Sequence, residues 1–172
     1  MSLDELMTTD VLQQAQHPYY MGIKYAPKDY EFVTPDEVVD WQWSVDETTR
    51  VAIADYGITV SRLEDENRFP EQVAAFVRNH QANKYILQHF QQQLSGLKII
   101  IPDNVVIKQP LNLIIDLMNS QPGAFTIAVL LGEGSQLTLQ QTINMHESAT
   151  QDSCVIIGQQ ANNSQLTLAT AI

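Results

Sequence analysis

A mainly β fold is predicted, namely the first rungs of a right-handed parallel β-helix preceded by a small α+β N-terminal region, and three observations predict it. The pentapeptide Ser-Gln-Leu-Thr-Leu occurs letter for letter at Ser135 to Leu139 and again at Ser164 to Leu168, a spacing of 29 residues. Apolar and polar residues alternate around both copies with the period of a strand. Gly, Asn or Pro interrupts these runs at the points where a chain must turn.

The repeat is wider than the pentapeptide. Residues 124–143 align on 153–172: Ile127 falls on Ile156, Gly132-Glu133-Gly134 on Ala161-Asn162-Asn163, and Ile143 on Ile172. Self-similarity at this spacing marks stacked architectures, whose units cannot bury an apolar face alone and lean on their neighbours. Leu137 and Leu139 alternate with Thr138 and Gln140, so the unit is a strand, and stacking sets Leu137 over Leu166 and Leu139 over Leu168. Gly132, Gly134, Asn162 and Asn163 suit corners that need left-handed backbone. A two-sheet sandwich also alternates, but it does not call for an offset copy.

Before the repeat, Leu97 to Ile101, Val105 to Ile107 and Leu111 to Leu117 read as three short strands of one rung. Pro102-Asp103-Asn104 and Gln109-Pro110 separate them, and proline, which donates no ladder hydrogen bond, belongs at such bends. These rungs form a second region, 97–172, after an N-terminal region, 1–96.

In that front region the first ~30 residues hold no sustained period beyond a short helix around Leu3 to Gln14. Tyr19-Tyr20, Tyr25 and Tyr30 either pack locally or offer a docking surface. Val39, Trp41, Trp43 and Val45 alternate with Asp40, Gln42, Ser44 and Asp46, a strand with one apolar face, in which the tryptophans serve as core or as a ligand platform. Val51 and Ile53 suggest a second strand, turned at Asp55-Tyr56-Gly57 into Ile58 and Val60, and so a small antiparallel unit. Phe69 to His80 changes to helical period, with Pro70 and Glu71 suited to a first turn. Asn83 can cap a further helix carrying Ile86, Leu87, Phe90 and Leu94, with Gly96 as its C-terminal cap.

Composition narrows the function classes. The formal charge of −11 opposes binding to nucleic acid or anionic membranes, which need a positive field. Residues 1–66 contribute −10 of it. Cys154 is the single cysteine, residues 1–16 have no signal-peptide pattern, and no apolar run approaches the ~20 residues that span a bilayer, so a soluble, reducing, cytoplasmic setting is expected.

Several segments together resemble the SufB/SufD family of iron–sulfur cluster assembly scaffolds. Asn83-Lys84, Leu94-Ser95-Gly96, then Ile99-Ile100-Ile101-Pro102-Asp103-Asn104-Val105-Val106-Ile107 and Pro110-Leu111 are similar to the family's helix, Gly and I-x-I-P-x-x-V-x-I-x-x-P-L rung. Tyr56 to Leu63 is similar to its Gly-led strand, and Ile127 to Leu139 to its repeated strand, Gly-rich corner and strand. The likeness covers about residues 55–172 and leans towards SufD. It implies a scaffold that is not itself an enzyme, working with a SufC-like ATPase and a SufB/SufD-like subunit as a homo- or hetero-oligomer. It also implies that the Fe-S cluster is handled by the full complex, with no cofactor bound by this segment. The family's cluster-related Cys, His and Glu residues and its SufC-docking end have no counterpart here, so the chain is expected to be the N-terminal part of such a scaffold or a truncated relative, and no catalytic, cofactor or metal residue is carried over.

The residues themselves offer thin chemistry. Cys154, His146 and Glu147 are the only loosely clustered metal-ligand types, with His146 and Glu147 on an expected loop and Cys154 expected to be a small buried apolar group. His17, His80 and His89 are isolated and carry no assigned role. No Gly-rich phosphate loop with a Lys is present. A polysaccharide-active β-helix enzyme would draw on Asp103, Lys108 and Asp116, though a turn Asp and two surface charges also describe them. A structural oligomerisation module is the third reading, since a β-stack ending on Ala169 to Ile172 exposes an unpaired edge.

Overall fold

The computed structural model describes residues 41–63, 65, 71–80, 83–91, 95–118, 124–145 and 153–171, together with two short antiparallel strands, β1 (Tyr19–Tyr20) and β2 (Ile23–Lys24). The expectations for Leu3 to Gln14, His17, Tyr25, Tyr30, Val39, Leu94, His146 and Glu147 lie outside the described residues. The remaining elements are β3 (Trp41–Val45), α1 (Glu47–Asp55), β4 (Thr59–Arg62), α2 (Glu71–Asn79), α3 (Lys84–Gln91), β5 (Gly96–Ile101), β6 (Leu111–Leu117), β7 (Ala124–Leu131), β8 (Gln136–Met145), β9 (Ser153–Gln160) and β10 (Gln165–Ala171).

The fold is mainly β, in two four-stranded mixed sheets, neither of them closed. One runs β3-β6-β8-β10 and the other β4-β5-β7-β9. From β5 onward the chain alternates between them, and each strand lies parallel to the strand two before it. The repeat found in the sequence is the pairing register itself: Ala124 to Leu131 meet Ser153 to Gln160, Leu137 meets Leu166, and Leu139 meets Leu168, each 29 residues on. A shift of one residue would turn every inward leucine to solvent, so the register is strongly specified.

The first turn of the stack departs from three strands per rung. Val105 to Ile107 forms no strand, but a single parallel bridge from Val106 to Gln136. Leu111 then meets Leu139, so five residues on one side span three on the other, and Lys108-Gln109-Pro110 bulge out. Pro110 has no N–H for the ladder, which is why the extra residues collect there.

Between the sheets lies one core, with Leu97, Ile101, Ile115, Ile127, Val129, Leu139 and Ile143 at or below 1% exposure. Trp41 joins it from the front region, edge-on to Phe125 at 4.8 Å, with the Arg62 guanidinium 4.4 Å from its ring centroid. Trp43 packs half-buried against the same core, so both tryptophans are packing residues. Strand β7 is apolar on both faces because a second layer covers its outside: Val73 and Val77 of α2 and Leu87 and Phe90 of α3 pack on Ala128 and Ile157.

Three expectations are corrected. Val51 and Ile53 lie in helix α1, not in a strand, and β3 and β4 belong to different sheets. Asp46 is the reason: its Oδ1 accepts from the Thr49 N–H at 2.7 Å, an N-cap that outweighs the short alternation, and Val51 accordingly points out at 48% exposure. Gly96 opens β5 and is no helix cap; its φ is +148°, and a Cβ there would lie 1.8 Å from the Thr126 carbonyl oxygen. At the corners the left-handed residues are Asn104, Gly134 and Asn163, with φ of 59°, 67° and 57°, one above another in successive turns. Gly132 and Asn162 do not adopt that conformation.

Helix α2 and the Asn83-led α3 stand where the sequence puts them, with Asn83 Oδ1 3.5 Å from the Ile86 nitrogen.

Candidate assembly surface

The two ends of the stack are built differently. At the first end β3 lies antiparallel to β6, β4 antiparallel to β5, and α1 crosses between the sheets, burying Thr49 and Ala52. Asp46 Oδ2 accepts from Asn112 Nδ2 at 2.6 Å and Thr49 Oγ1 accepts from the Asn112 N–H at 2.8 Å, which bolts the helix to the start of β6. The Asn112 side chain, then the Thr49 N–H, hold the Asp46 carboxyl below the usual carboxylate range. Beneath α1 a cavity of about 20 Å³ remains, lined by Val45, Ile53, Val60, Leu113 and Leu139 among others. It is apolar and too small for more than one water.

At the other end, among the described residues, β9 and β10 each have one neighbour only. Leu137 and Leu139 of β8 are buried at 2% and 1%, while their copies one turn on, Leu166 and Leu168, are half-buried and 40% exposed. The residue types are the same and the difference is the missing cover. Gly158 lies opposite Leu166, where a Cβ would come 3.0 Å from Leu166 Cδ2. One turn inside, the Gln141 amide is 2% exposed; its Nε2 donates to Thr170 Oγ1 at 2.8 Å and its Oε1 is unpartnered. This polar group faces into an apolar interior at the level where the cover stops.

The expected site candidates do not converge. Cys154 pairs with Phe125 on β7 and packs against the main core; burial pushes its thiol up to about 11, leaving it protonated at neutral pH. Asp103 sits at a corner, its Oδ1 accepting from the Glu133 N–H at 2.8 Å. Asp116 lies near the far end of β6, roughly 17 Å from that corner at strand rise, and accepts from Asn144 Nδ2. Lys108 is exposed in the bulge. Among the described residues no three His, Cys, Asp or Glu side chains come together in a metal-ligand group.

His89, given no role from sequence, is the one buried imidazole described. It is 2% exposed on α3, with Nδ1 2.8 Å from Ser153 Oγ and Nε2 2.9 Å from Thr126 Oγ1. It thus pins the helical layer to both β7 and β9, and burial pushes its pKa down to about 4. Its place in the Ile86-Leu87-Phe90 stripe was the available signal, since Leu87, Phe90 and position 89 share the buried side of a short helix. His80 is exposed, with Nδ1 2.8 Å from the Phe76 carbonyl. No helix among the described residues is long and apolar enough to cross a membrane.

Comparison with known protein families, with curated proteins and with solved structures returned no match.

Proposed function

We propose that the chain is a scaffold, a right-handed parallel β-helix of the SufB/SufD kind that works in the cytoplasm in iron–sulfur cluster assembly. One observation carries the reading: successive strands lie parallel at a constant 29-residue register, on a first turn made from the Ile99 to Leu111 segment that carries the family likeness. The left-handed corner residues Asn104, Gly134 and Asn163, stacked in successive turns, are also what a coiled chain needs. The cluster is cargo for the assembled complex, and ATP chemistry comes from a SufC-like partner. No residue of this chain is assigned a catalytic or ligating part.

Co-expression of the tagged 172-residue chain with a SufC-type ATPase and a SufB- or SufD-type subunit tests this. Co-elution of the ATPase is the expected result. An ATPase that stays in the flow-through, with the chain folded by circular dichroism, overturns the cluster-assembly role.

A second reading, a structural assembly module, draws on the bare edges of β9 and β10. It shares the β-helix with the first and asks nothing of a SufC-type partner.

A further inference from the structure

We infer that the open end formed by β9 and β10 is a self-complementary interface that takes a second copy of this chain, the two stacks joining end to end about a two-fold axis. The inference rests on the β-helix reading proposed above and is independent of the cluster-assembly role.

Charge is the first ground. Residues 153–171 contain no Asp, Glu, Lys, Arg or His, in a chain whose formal charge is −11. Two copies of so acidic a protein repel wherever their carboxylates meet, and this end is where they can approach without that penalty. Exposed strand edges are usually guarded by charge, proline or shortness. Here β9 has 8 residues and β10 has 7, with none of those guards.

Geometry is the second ground. The corner at 161–164 reverses the chain, and Gly158 faces Leu166 across the interior. Counting along the strands, Ile156 then faces Leu168 and Cys154 faces Thr170. A single two-fold axis through Ile156 and Leu168, normal to both sheets, lays β9 antiparallel on its copy and β10 antiparallel on its copy at the same time. Inward residues stay inward in that pairing. Ile156 meets Ile156, Leu168 meets Leu168, Leu166 meets Thr170, and Cys154 meets Gly158, where the glycine leaves room for the sulfur. Both sheets continue through the interface with full overlap of their edge strands, and the half-exposed leucines are covered.

Sedimentation of the full 172-residue chain over a concentration series is the direct test, and a dimer is expected. Leu168→Lys brings two like charges together at the axis and should weaken the dimer by at least about tenfold while the monomer still melts cooperatively. In a Cys154→Ala background, Leu168→Cys should form an intermolecular disulfide on oxidation, since paired antiparallel strands bring the two Cα atoms to about 5 Å. Ile114→Cys in the same background, exposed on the outer face of β6, should not crosslink. A chain that stays monomeric, or a dimer that crosslinks at position 114 and not at 168, overturns the proposal. If Leu168→Lys fails to fold, the crosslinking pair decides alone. ATPase co-elution leaves this result untouched in either direction.

Discussion

The leading and trailing turns of the stack carry the same kind of inward residues and meet opposite fates. Leu111, Leu113 and Ile115 are sealed at 3% exposure or less, beneath β3 and α1, while Leu168 stands 40% exposed with nothing over it. The leading edges, β3 and β4, are short at 5 and 4 residues, bear Arg62, and are bridged by a capped helix. The trailing edges are long and uncharged. A repeat unit has no cover of its own, so burial is a property of the neighbour and not of the repeated sequence.

The strongest test of this difference is truncation at each end. Trp41→Ala removes a 1%-exposed ring from the sealed end and should cost about 4 kcal/mol, read as a fall in the denaturant midpoint. Leu168→Ala, measured in the monomer, should cost less than about 1 kcal/mol. Equal losses would show that the trailing turn is as well packed as the leading one.

Acid is next. Folding favours neutral His89, so the folded protein binds that proton less readily than the unfolded chain. Its contribution is fully present above the unfolded value of 6.5 and drains away as pH falls towards about 4. The loss should be on the order of 3 kcal/mol, and a His89→Gln variant should lack this part of the pH dependence in urea melts. Because His89 holds α3 to β9 through Ser153, hydrogen exchange should quicken in α3 and β9 before β5 and β6 as acid is added.

Asp46→Ala removes the cap of α1 and its hold on Asn112, and about 1 kcal/mol should be lost from the thermal stability of the sealed end. The smallest effect belongs to the outer corner. Asn163→Gly keeps the left-handed conformation available and should change stability by less than about 0.5 kcal/mol, whereas Gly134→Ala, at φ 67° and with Asn104 Oδ1 only 2.9 Å from the added Cβ, should cost about 1 kcal/mol or more.

The legible parts of the fold are those whose signal is local or repeated. Ser135 to Leu139 and Ser164 to Leu168 announce their own pairing, because parallel strands one turn apart bury the same face against the same interior. The alternation at Trp41 to Val45 and the stripes of α2 and α3 read out the same way. Val51 and Ile53 misled because two apolar residues at i and i+2 fit a strand, while the deciding Asp46 cap is one polar residue outside the pattern. The candidate surface was legible as an unpaired edge at Ala169 and beyond, but its absence of charge over 153–171 gains meaning only when those residues are seen to form both edges of one end.

What the sequence by itself determined is the period of the stack, its register and the inward set of side chains, since each follows from identity at 29 residues and from strand alternation. Tertiary structure alone decided that residues 41–62 close one end, that His89 becomes a buried pin between Thr126 and Ser153, and that the other end stays open. The reason is separation along the chain. Asn112 meets Asp46 across 66 residues and His89 meets Ser153 across 64, and no local pattern encodes a partner that far away.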